Sequence, residues 1–272
     1  MFPKSKTFEK KHRQHKRQIE IAMAIEAISN ILKKNHPGVY LKTEEVKILE
    51  FGCGDGFQTP YLNQMGSVVA SDIKGCTSIK NKGVEFVECS IEKTPFGECS
   101  FDVIYSNHVV EHIEDADAAF NELIRIGKPA CIYAFSVPTN LWLLLSIPAQ
   151  YLSKLKSLFS LLSLRFFDSS KKSKKVQPAV TKYEQKNGKV SPGRILQLLI
   201  PSGHGTSINF IECYRNFRIK NWYRLFSDNG FSVIEMKPLL LYGPSEWPIL
   251  STQKPKFNLC SSVLFLMSKR EF

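Results

Sequence analysis

Short apolar runs recur along the middle and the end of the chain, separated by polar turns and by stretches with helical periodicity. The first run, residues 46–51, ends at a turn with glycine at every second position. Runs of this length, rich in β-branched and aromatic residues, predict strands, and their alternation with helices predicts an α/β domain. The six later runs predict strands at 68–73, 84–88, 101–106, 130–137, 231–236 and 261–267.

A helical pattern dominates the beginning of the chain. Apolar residues return at helical spacing between Phe8 and Lys34, which predicts one long helix within an N-terminal segment 1–42. Its first turns are basic, and we expect them to be exposed while the end of the helix packs on the sheet. The apolar positions are Ile19, Ala22, Met23, Ile25, Ile28, Ile31 and Leu32.

Residues 141–215 interrupt the order of strands and predict an insertion after strand five. Within it, 151–167 predicts a helix with one apolar face, which is lined by Leu152, Leu155, Phe159, Leu162 and Phe166. Lys154, Lys156 and Arg165 interrupt this run, so it lacks the ~20 apolar residues of a membrane span. Lysines follow at 171, 172, 174 and 175. Two hypotheses fit: segment 141–175 lies on an anionic membrane surface, or the helix is a lid over a substrate pocket.

The glycine turn is the first candidate binding feature. Gly52, Gly54 and Gly56 let the backbone bend sharply and let a ligand approach where a Cβ would collide. A nucleoside-bearing ligand is expected at the carboxyl end of such a strand. The dinucleotide fingerprint requires a third glycine where this chain has Phe57, which argues against a nicotinamide cofactor.

Downstream residues extend this pattern. Asp72 ends the second predicted strand, sixteen residues beyond Gly56, and the strings FDVIYS, VVEHI and GKPACIYAFSVP follow. With Glu50 and the glycine turn, they make residues 45–138 resemble the class I S-adenosylmethionine-dependent methyltransferases of the type 11 kind. The resemblance implies a Rossmann-like seven-stranded sheet flanked by helices, with the last strand antiparallel between strands five and six. It implies a cofactor-binding core at 43–140, completed by 216–272.

The same resemblance implies that S-adenosylmethionine is the cofactor and suggests its contacts. The turn would pack on the methionine portion, Glu50 would hold the amino group, and Asp72 would accept hydrogen bonds from both ribose hydroxyls. Where the family usually has an aspartate that meets the adenine amino group, this chain has Ser90; Ser90, Glu92 or a backbone carbonyl could do so here. The predicted cofactor-binding residues are Glu50, Gly52, Cys53, Gly54, Gly56, Asp72, Ile73, Ser90, Ile91 and Asn107.

Two histidines are the candidate catalytic bases. His112 follows the fourth strand, and His204 lies between two glycines near the end of the insertion. His108, Glu111 and His112 have i, i+3, i+4 spacing, which on a helix would place them on one face. Some methyltransferases that act on quinone-ring hydroxyls, which this region resembles, use acids and a histidine here for a divalent cation. His108 replaces one of these acids, and we predict no metal.

The charge and the cysteine content of the chain indicate its cellular compartment. The chain has 37 lysines and arginines against 25 acids, an excess concentrated in the leader and after residue 170. Seven cysteines without a C-x-x-C pair indicate a reducing compartment. No apolar core of a signal peptide follows Met1. We therefore expect a cytoplasmic protein, with membrane attachment at the inner face through 141–175 as an option.

The sequence favours transfer of a methyl group to oxygen. The acceptor would be a small molecule or a lipid-linked one, and a glycan or lipid-linked sugar intermediate is the leading hypothesis. The alternatives are a quinone precursor and a non-catalytic scaffold that serves as a membrane or partner adaptor. Nucleic acid is not expected, since the chain has no N/D-P-P-Y/F motif for a flipped base.

Overall fold

A computed structural model describes residues 6–35, 46–75, 84–167, 201, 203–207, 209–242 and 256–270. The predicted lysine cluster at 171–175, Cys76 and the ends of the predicted segment 1–42 lie outside these residues. Two compact units are formed, one within 1–145 and 203–272 and the other within 146–202. The domain limits drawn from the sequence remain predictions.

Seven strands form one sheet in the order β3-β2-β1-β4-β5-β7-β6. Strands β1 to β5 pair in parallel, whereas β7 runs antiparallel between β5 and β6. The predicted position and direction of the last strand are therefore confirmed. The strands are β1 Lys47–Phe51, β2 Ser67–Asp72, β3 Glu85–Glu88, β4 Phe101–Asn107, β5 Gly127–Pro138, β6 Phe231–Pro238 and β7 Ser262–Lys269.

Helices connect and flank these strands. The long N-terminal helix is confirmed. A short helix follows the glycine turn, and two helices precede β6. The helices are α1 Lys6–Asn35, α2 Thr59–Leu62, α3 Ala116–Ile126, α4 Asn140–Phe167, α5 Phe210–Asn216 and α6 Ile219–Asp228. Two 3₁₀ turns lie at Val110–His112 and Phe257–Leu259.

Alternate residues of the central strands pack on opposite layers of helices. Ile48 joins Ile21 and Ile28 of α1 in one buried cluster, whereas Leu49 joins Phe120 of α3 and Phe226 of α6 in another. This follows from the two-residue period of a strand and explains why the central runs are apolar throughout. The sheet is thus covered on both faces, which leaves the carboxyl edge of its parallel strands for binding.

Two local predictions are corrected. β5 begins at Gly127, earlier than the predicted 130, because Gly127 already pairs with Phe101 before an irregularity in the register. His108, Glu111 and His112 do not share a helix: His108 has a positive φ of 56° and a 3₁₀ turn follows it. A tight turn at the end of β4 takes the place of the α-helical face, and it still leaves His108 Nδ1 3.4 Å from Glu111 Oε1.

Helix α4 begins at Asn140, before the predicted 151–167, and is continuous through Pro148. In the second compact unit of the chain, within 146–202, Leu152 and Leu155 are exposed. The Lys154 ammonium lies 5.7 Å from the ring centre of Tyr151. Among the residues that the structure describes, no helix is long and apolar enough to cross a membrane.

Candidate active site

The glycine turn after β1 has the geometry that only glycine adopts readily. Gly52, Gly54 and Gly56 have φ values of 69°, 58° and 66°, in the left-handed region where a side chain is strained. A Cβ on Gly52 would overlap the Val109 side chain, whereas a Cβ on Gly54 would meet no protein atom within 4 Å. Gly52 is therefore required by packing within the protein, while the space beside Gly54 is open to a ligand.

Asp72 connects the second strand to this turn. Its Oδ2 accepts a hydrogen bond of 2.8 Å from the Gly54 N–H, and its Oδ1 accepts one of 3.3 Å from the Lys74 N–H. The Cys53 N–H is fixed in turn by the Ser71 carbonyl at 3.0 Å. The carboxylate thus holds the turn in place and still lines the adjoining cavity.

The first cavity has a volume of about 470 Å³ and lies along the carboxyl ends of β1, β2 and β4. That size lies within the range of small-molecule sites. Among the predicted cofactor residues, Gly52, Asp72, Ile73, Ser90 and Ile91 line it. Ile73 is 67% exposed, so its apolar side chain can cover a ring of a bound ligand.

Ser90 and Glu92 form a pair on the wall of this cavity. The Ser90 hydroxyl donates to Glu92 Oε2 at 2.8 Å, and both residues line the cavity. A charged acceptor is therefore present close to the position where related proteins carry an aspartate. Among the three alternatives for the adenine amino group, this contact favours Ser90 and Glu92 acting together.

The remaining predicted cofactor residues do not line the first cavity. Cys53 is buried against Ala70, so its thiol contacts protein and only its backbone remains for a ligand. Asn107 lies instead in a second cavity, where its amide donates to Gln58 Oε1 at 3.0 Å. Gly54 and Gly56 shape the turn.

Glu50 is buried behind the turn with 3% of its surface exposed. Its Oε2 accepts a hydrogen bond of 2.5 Å from the Thr59 hydroxyl. Burial raises the pKa of Glu50 to about 7, against smaller lowering effects of the Thr59 hydrogen bond and of Arg17. The carboxylate lies outside the cavity lining, so its predicted contact with the cofactor amino group stays a prediction.

Replacing Glu50 by glutamine is expected to stabilise the cofactor-free protein at pH 8. Because the pKa is raised on folding, the unfolded carboxyl ionises first as pH rises from about 4.5 to about 7, and the free energy of unfolding falls over that range. Glu50→Gln removes this fall. The free energy of unfolding of the variant should therefore exceed that of the wild type by an amount on the order of 3 kcal/mol at pH 8, and by little at pH 4.5. Urea denaturation at both pH values measures it.

Glu26→Gln, on the exposed side of α1, is the matched control and should leave the pH dependence of the wild type in place. If the free energy of unfolding of Glu50→Gln depends on pH as that of the wild type does, Glu50 does not cause the fall in stability.

The second cavity, of about 280 Å³, shares His108 and His112 with the first. The two cavities therefore have a common wall. Its other lining residues come from α1, the end of β4, the start of α4 and the segments after residues 203 and 239; they are Arg13, Lys16, Arg17, Asn107, Glu111, Trp142, His204 and Tyr242.

His204 and His112, the two candidate bases, lie against each other. Their ring centres lie 5.0 Å apart, and the Trp142 ring lies 4.9 Å from His204. Gly205 makes this approach possible, because it has a φ of 67° and a Cβ there would overlap the Glu111 backbone. The Thr206 N–H donates to that same Glu111 carbonyl at 3.0 Å.

His204 is suited to accept a proton near neutral pH. Partial burial lowers its pKa, an effect that the neighbouring Glu111 opposes and that His112 and His108 reinforce. A neutral imidazole with its pKa slightly below the working pH is an effective general base.

Glu111 is the main functional candidate that the sequence analysis left out of its site residues. It is 5% exposed, and within the described chain neither carboxylate oxygen accepts a hydrogen bond. Its Oε1 lies 3.4 Å from His108 Nδ1. A buried carboxylate without hydrogen bonds is costly, so this group needs a donor from a neighbouring imidazole N–H or from a ligand.

Tyr242 defines the orientation of His108. Burial raises the pKa of Tyr242 well above its usual range, so its hydroxyl keeps its proton and can donate to His108 Nε2 at 2.9 Å. A neutral His108 then carries its proton on Nδ1, toward Glu111. No local sequence signal marks Tyr242, because it comes from a segment 134 residues away along the chain.

Glu111, His112 and His204 each offer a ligand atom within 4.8 Å of the others. Such a set could ligate a divalent cation as well as move a proton. The structure thus assembles a different trio from the one that the sequence spacing suggested, with His204 in the place of His108.

Comparisons with known proteins agree with this geometry. The family model described as a methyltransferase domain matches residues 49–135. A malonyl-[acyl-carrier protein] O-methyltransferase of Erwinia billingiae is 30% identical over 95 residues, 33% of this chain and 38% of that protein. A mitochondrial ubiquinone biosynthesis O-methyltransferase of Mus musculus is 29% identical over 117 residues, 37% of this chain and 31% of that protein.

Each of these alignments spans well under half of the relative, so the relatives' substrates remain open for this chain. Among solved structures, a SAM-dependent methyltransferase from Thermotoga maritima has a TM-score of 0.51 at 16% identity and covers 97% of this chain and 98% of its own. That likeness supports the fold. Residues 49–135 thus match a methyltransferase domain, and the sheet order and the glycine turn are those that the resemblance to the class I S-adenosylmethionine-dependent methyltransferases predicts.

Proposed function

We propose that this protein transfers a methyl group from S-adenosylmethionine to an oxygen atom of an acceptor bound in the second cavity. The observation that carries the proposal is the shared wall of the two cavities, where His108 and His112 line both. A cofactor in one cavity and an acceptor in the other would meet at a pair of imidazoles.

The residues of the first cavity, together with the glycine turn that is hydrogen-bonded to Asp72 on its wall, fit the cofactor. Open space lies beside Gly54, the Asp72 carboxylate is available to hydroxyls, and the exposed Ile73 can cover a ring. When bound, S-adenosylmethionine supplies a methyl group activated by a sulfonium.

The residues of the second cavity would handle the acceptor proton. His204 would accept it from the acceptor hydroxyl, and the buried Glu111 carboxylate would stabilise the imidazolium that forms. His112, packed against the His204 ring, is the second candidate base. Trp142 also packs against the His204 ring and would limit the access of water to it.

Calorimetric titration with S-adenosylmethionine and, separately, with NAD tests the cofactor. Micromolar binding of the first alone supports the proposal, and binding of NAD alone would contradict it. A protein that binds the cofactor but incorporates no labelled methyl group into any acceptor fraction would instead be the non-catalytic adaptor.

Asp72→Ala is expected to weaken binding of S-adenosylmethionine by ~1.5–3 kcal/mol, since ribose hydroxyls lose a charged acceptor and the Gly54 N–H loses its partner. The same titration measures the effect. Asp117→Ala, at an exposed position of α3, is the control; equal affinity in Asp72→Ala and wild type would remove Asp72 from the cofactor site.

A glycan or lipid-linked sugar intermediate remains our leading acceptor, with a quinone precursor as the alternative. Exposed Leu152 and Leu155 beside Lys154, together with the lysines that follow in the sequence, support contact of segment 141–175 with an anionic membrane surface. Such contact would bring a lipid-linked acceptor to the protein.

Neutralising Lys171, Lys172, Lys174 and Lys175 to glutamine is expected to weaken binding to phosphatidylserine-containing vesicles strongly. Each basic residue near such a surface contributes about 1 kcal/mol, so the four together correspond to about a thousandfold. Vesicle sedimentation measures the change. The control neutralises Lys4, Lys6, Lys10 and Lys11 of the leader. If only this control variant fails to sediment with the vesicles, the leader is the membrane-binding segment.

A further inference from the structure

Three cations of helix α1 line the second cavity. Arg13, Lys16 and Arg17 recur at three- and four-residue spacing and therefore share one face of the helix. They lie on the wall contributed by α1, while Glu111 belongs to the turn after β4 and the histidines lie beside it. The cavity thus has a cationic side and a proton-handling side.

Only part of this positive charge is balanced within the described chain. Arg17 pairs with Asp55 at 2.7 Å, but neither Arg13 nor Lys16 has an ion pair with a described acid within 4.0 Å. Lys16 is half-buried, with its ammonium 3.8 Å from the ring centre of Tyr242. Three like charges along one wall repel each other, and an anion between them would relieve that repulsion.

Lys16 is held by its surroundings rather than free to reach solvent. Tyr242, whose ring lies under that ammonium, is fixed through its backbone by the Ser261 hydroxyl and through its own hydroxyl by His108. Burial and the two neighbouring arginines lower the pKa of Lys16, and Glu20 opposes them. A partly desolvated ammonium attracts an anion more strongly than a solvated one does.

We propose that the acceptor carries an anionic group, a phosphate or a carboxylate, which Lys16 and Arg13 bind while a separate hydroxyl of the acceptor reaches His204 and Glu111. The anion would be retained in the product, because the base and the cations lie on different walls. This inference rests on the proposed function and names the substrate class of the same site.

The test is calorimetric titration of the full-length protein, saturated with S-adenosylhomocysteine, with inorganic pyrophosphate in one arm and succinate in the other. Saturation keeps the probe out of the first cavity. We expect one arm to bind the wild type, which identifies the anion as phosphate or carboxylate. Lys16→Gln and Arg13→Gln should each weaken that binding by about tenfold or more, the range for losing one hydrogen bond to a charged group.

Lys33→Gln is the matched control, since it removes one charge from an exposed position in the last turn of the same helix. Its affinity should equal that of the wild type. Arg13 is exposed, so Arg13→Gln tests the site even if Lys16→Gln alters the packing on Tyr242. Binding in neither arm, or an equal loss in Lys33→Gln, would overturn the inference. Failure to bind S-adenosylhomocysteine would contradict the proposed function instead, and the anion titration then proceeds without it.

Discussion

Gly54→Ala is expected to abolish most binding of S-adenosylmethionine while leaving the protein folded. The new Cβ would meet no protein atom within 4 Å, so its cost to folding is the strain of a positive φ, about 1 kcal/mol. A cofactor lying against the turn would collide with it. Forcing such an overlap costs about 1–3 kcal/mol, which corresponds to about a 5- to 150-fold weaker affinity. Titration calorimetry gives the affinity, and thermal denaturation gives the stability.

Gly230→Ala is the control that isolates the ligand from the backbone strain. Gly230 also has a positive φ, of 84°, but lies between α6 and β6, where a Cβ would approach Ile124. This variant should lose a similar amount of stability and keep the wild-type affinity. If Gly54→Ala binds the cofactor as tightly as Gly230→Ala does, the ligand does not approach the turn there.

His204→Ala is expected to lower methyl transfer by about 100-fold or more, the lower end of the contribution of a general base. Affinity for S-adenosylmethionine should stay unchanged, because His204 does not line the first cavity. The rate of labelled methyl incorporation into the acceptor fraction that the wild type methylates measures the effect. His15→Ala, at an exposed position of α1 outside both cavities, should be fully active.

The pH profile separates a base from a residue that only packs. Burial lowers the pKa of His204 below its usual value of 6.5, so the neutral base is present above that pKa and is lost as pH falls through it. Wild-type turnover should therefore decline only in acid, and the decline should be absent from the residual activity of His204→Ala. An unchanged profile in the variant would assign the base to His112.

A chelator distinguishes proton transfer from metal binding by the same residues. Glu111, His112 and His204 are close enough to hold a cation, but we predict a metal-free reaction. Turnover unaffected by prolonged dialysis against EDTA would agree with a base, and loss of turnover with rescue by a divalent ion would contradict the prediction.

The sequence by itself determined the sheet and predicted the cofactor end of the site. Apolar runs of strand length can be read from local composition, and the glycine turn can be recognised because left-handed backbone favours glycine. Asp72 could be predicted in the same way, since the carboxyl ends of neighbouring parallel strands meet at one edge. These features depend on residues close together along the chain.

The tertiary structure decided the acceptor end. Lys16 approaches Tyr242, Tyr242 contacts His108 across 134 residues, and His204 packs on His112 only because Gly205 lets its loop lie on the Glu111 backbone. The spacing of His108, Glu111 and His112 suggested one helical face, but the chain turns at His108 and a different trio forms. Contacts between distant segments leave no periodic signal in the sequence, so the partners of Glu111 and the cationic wall of α1 appear only when the helix is packed on the sheet.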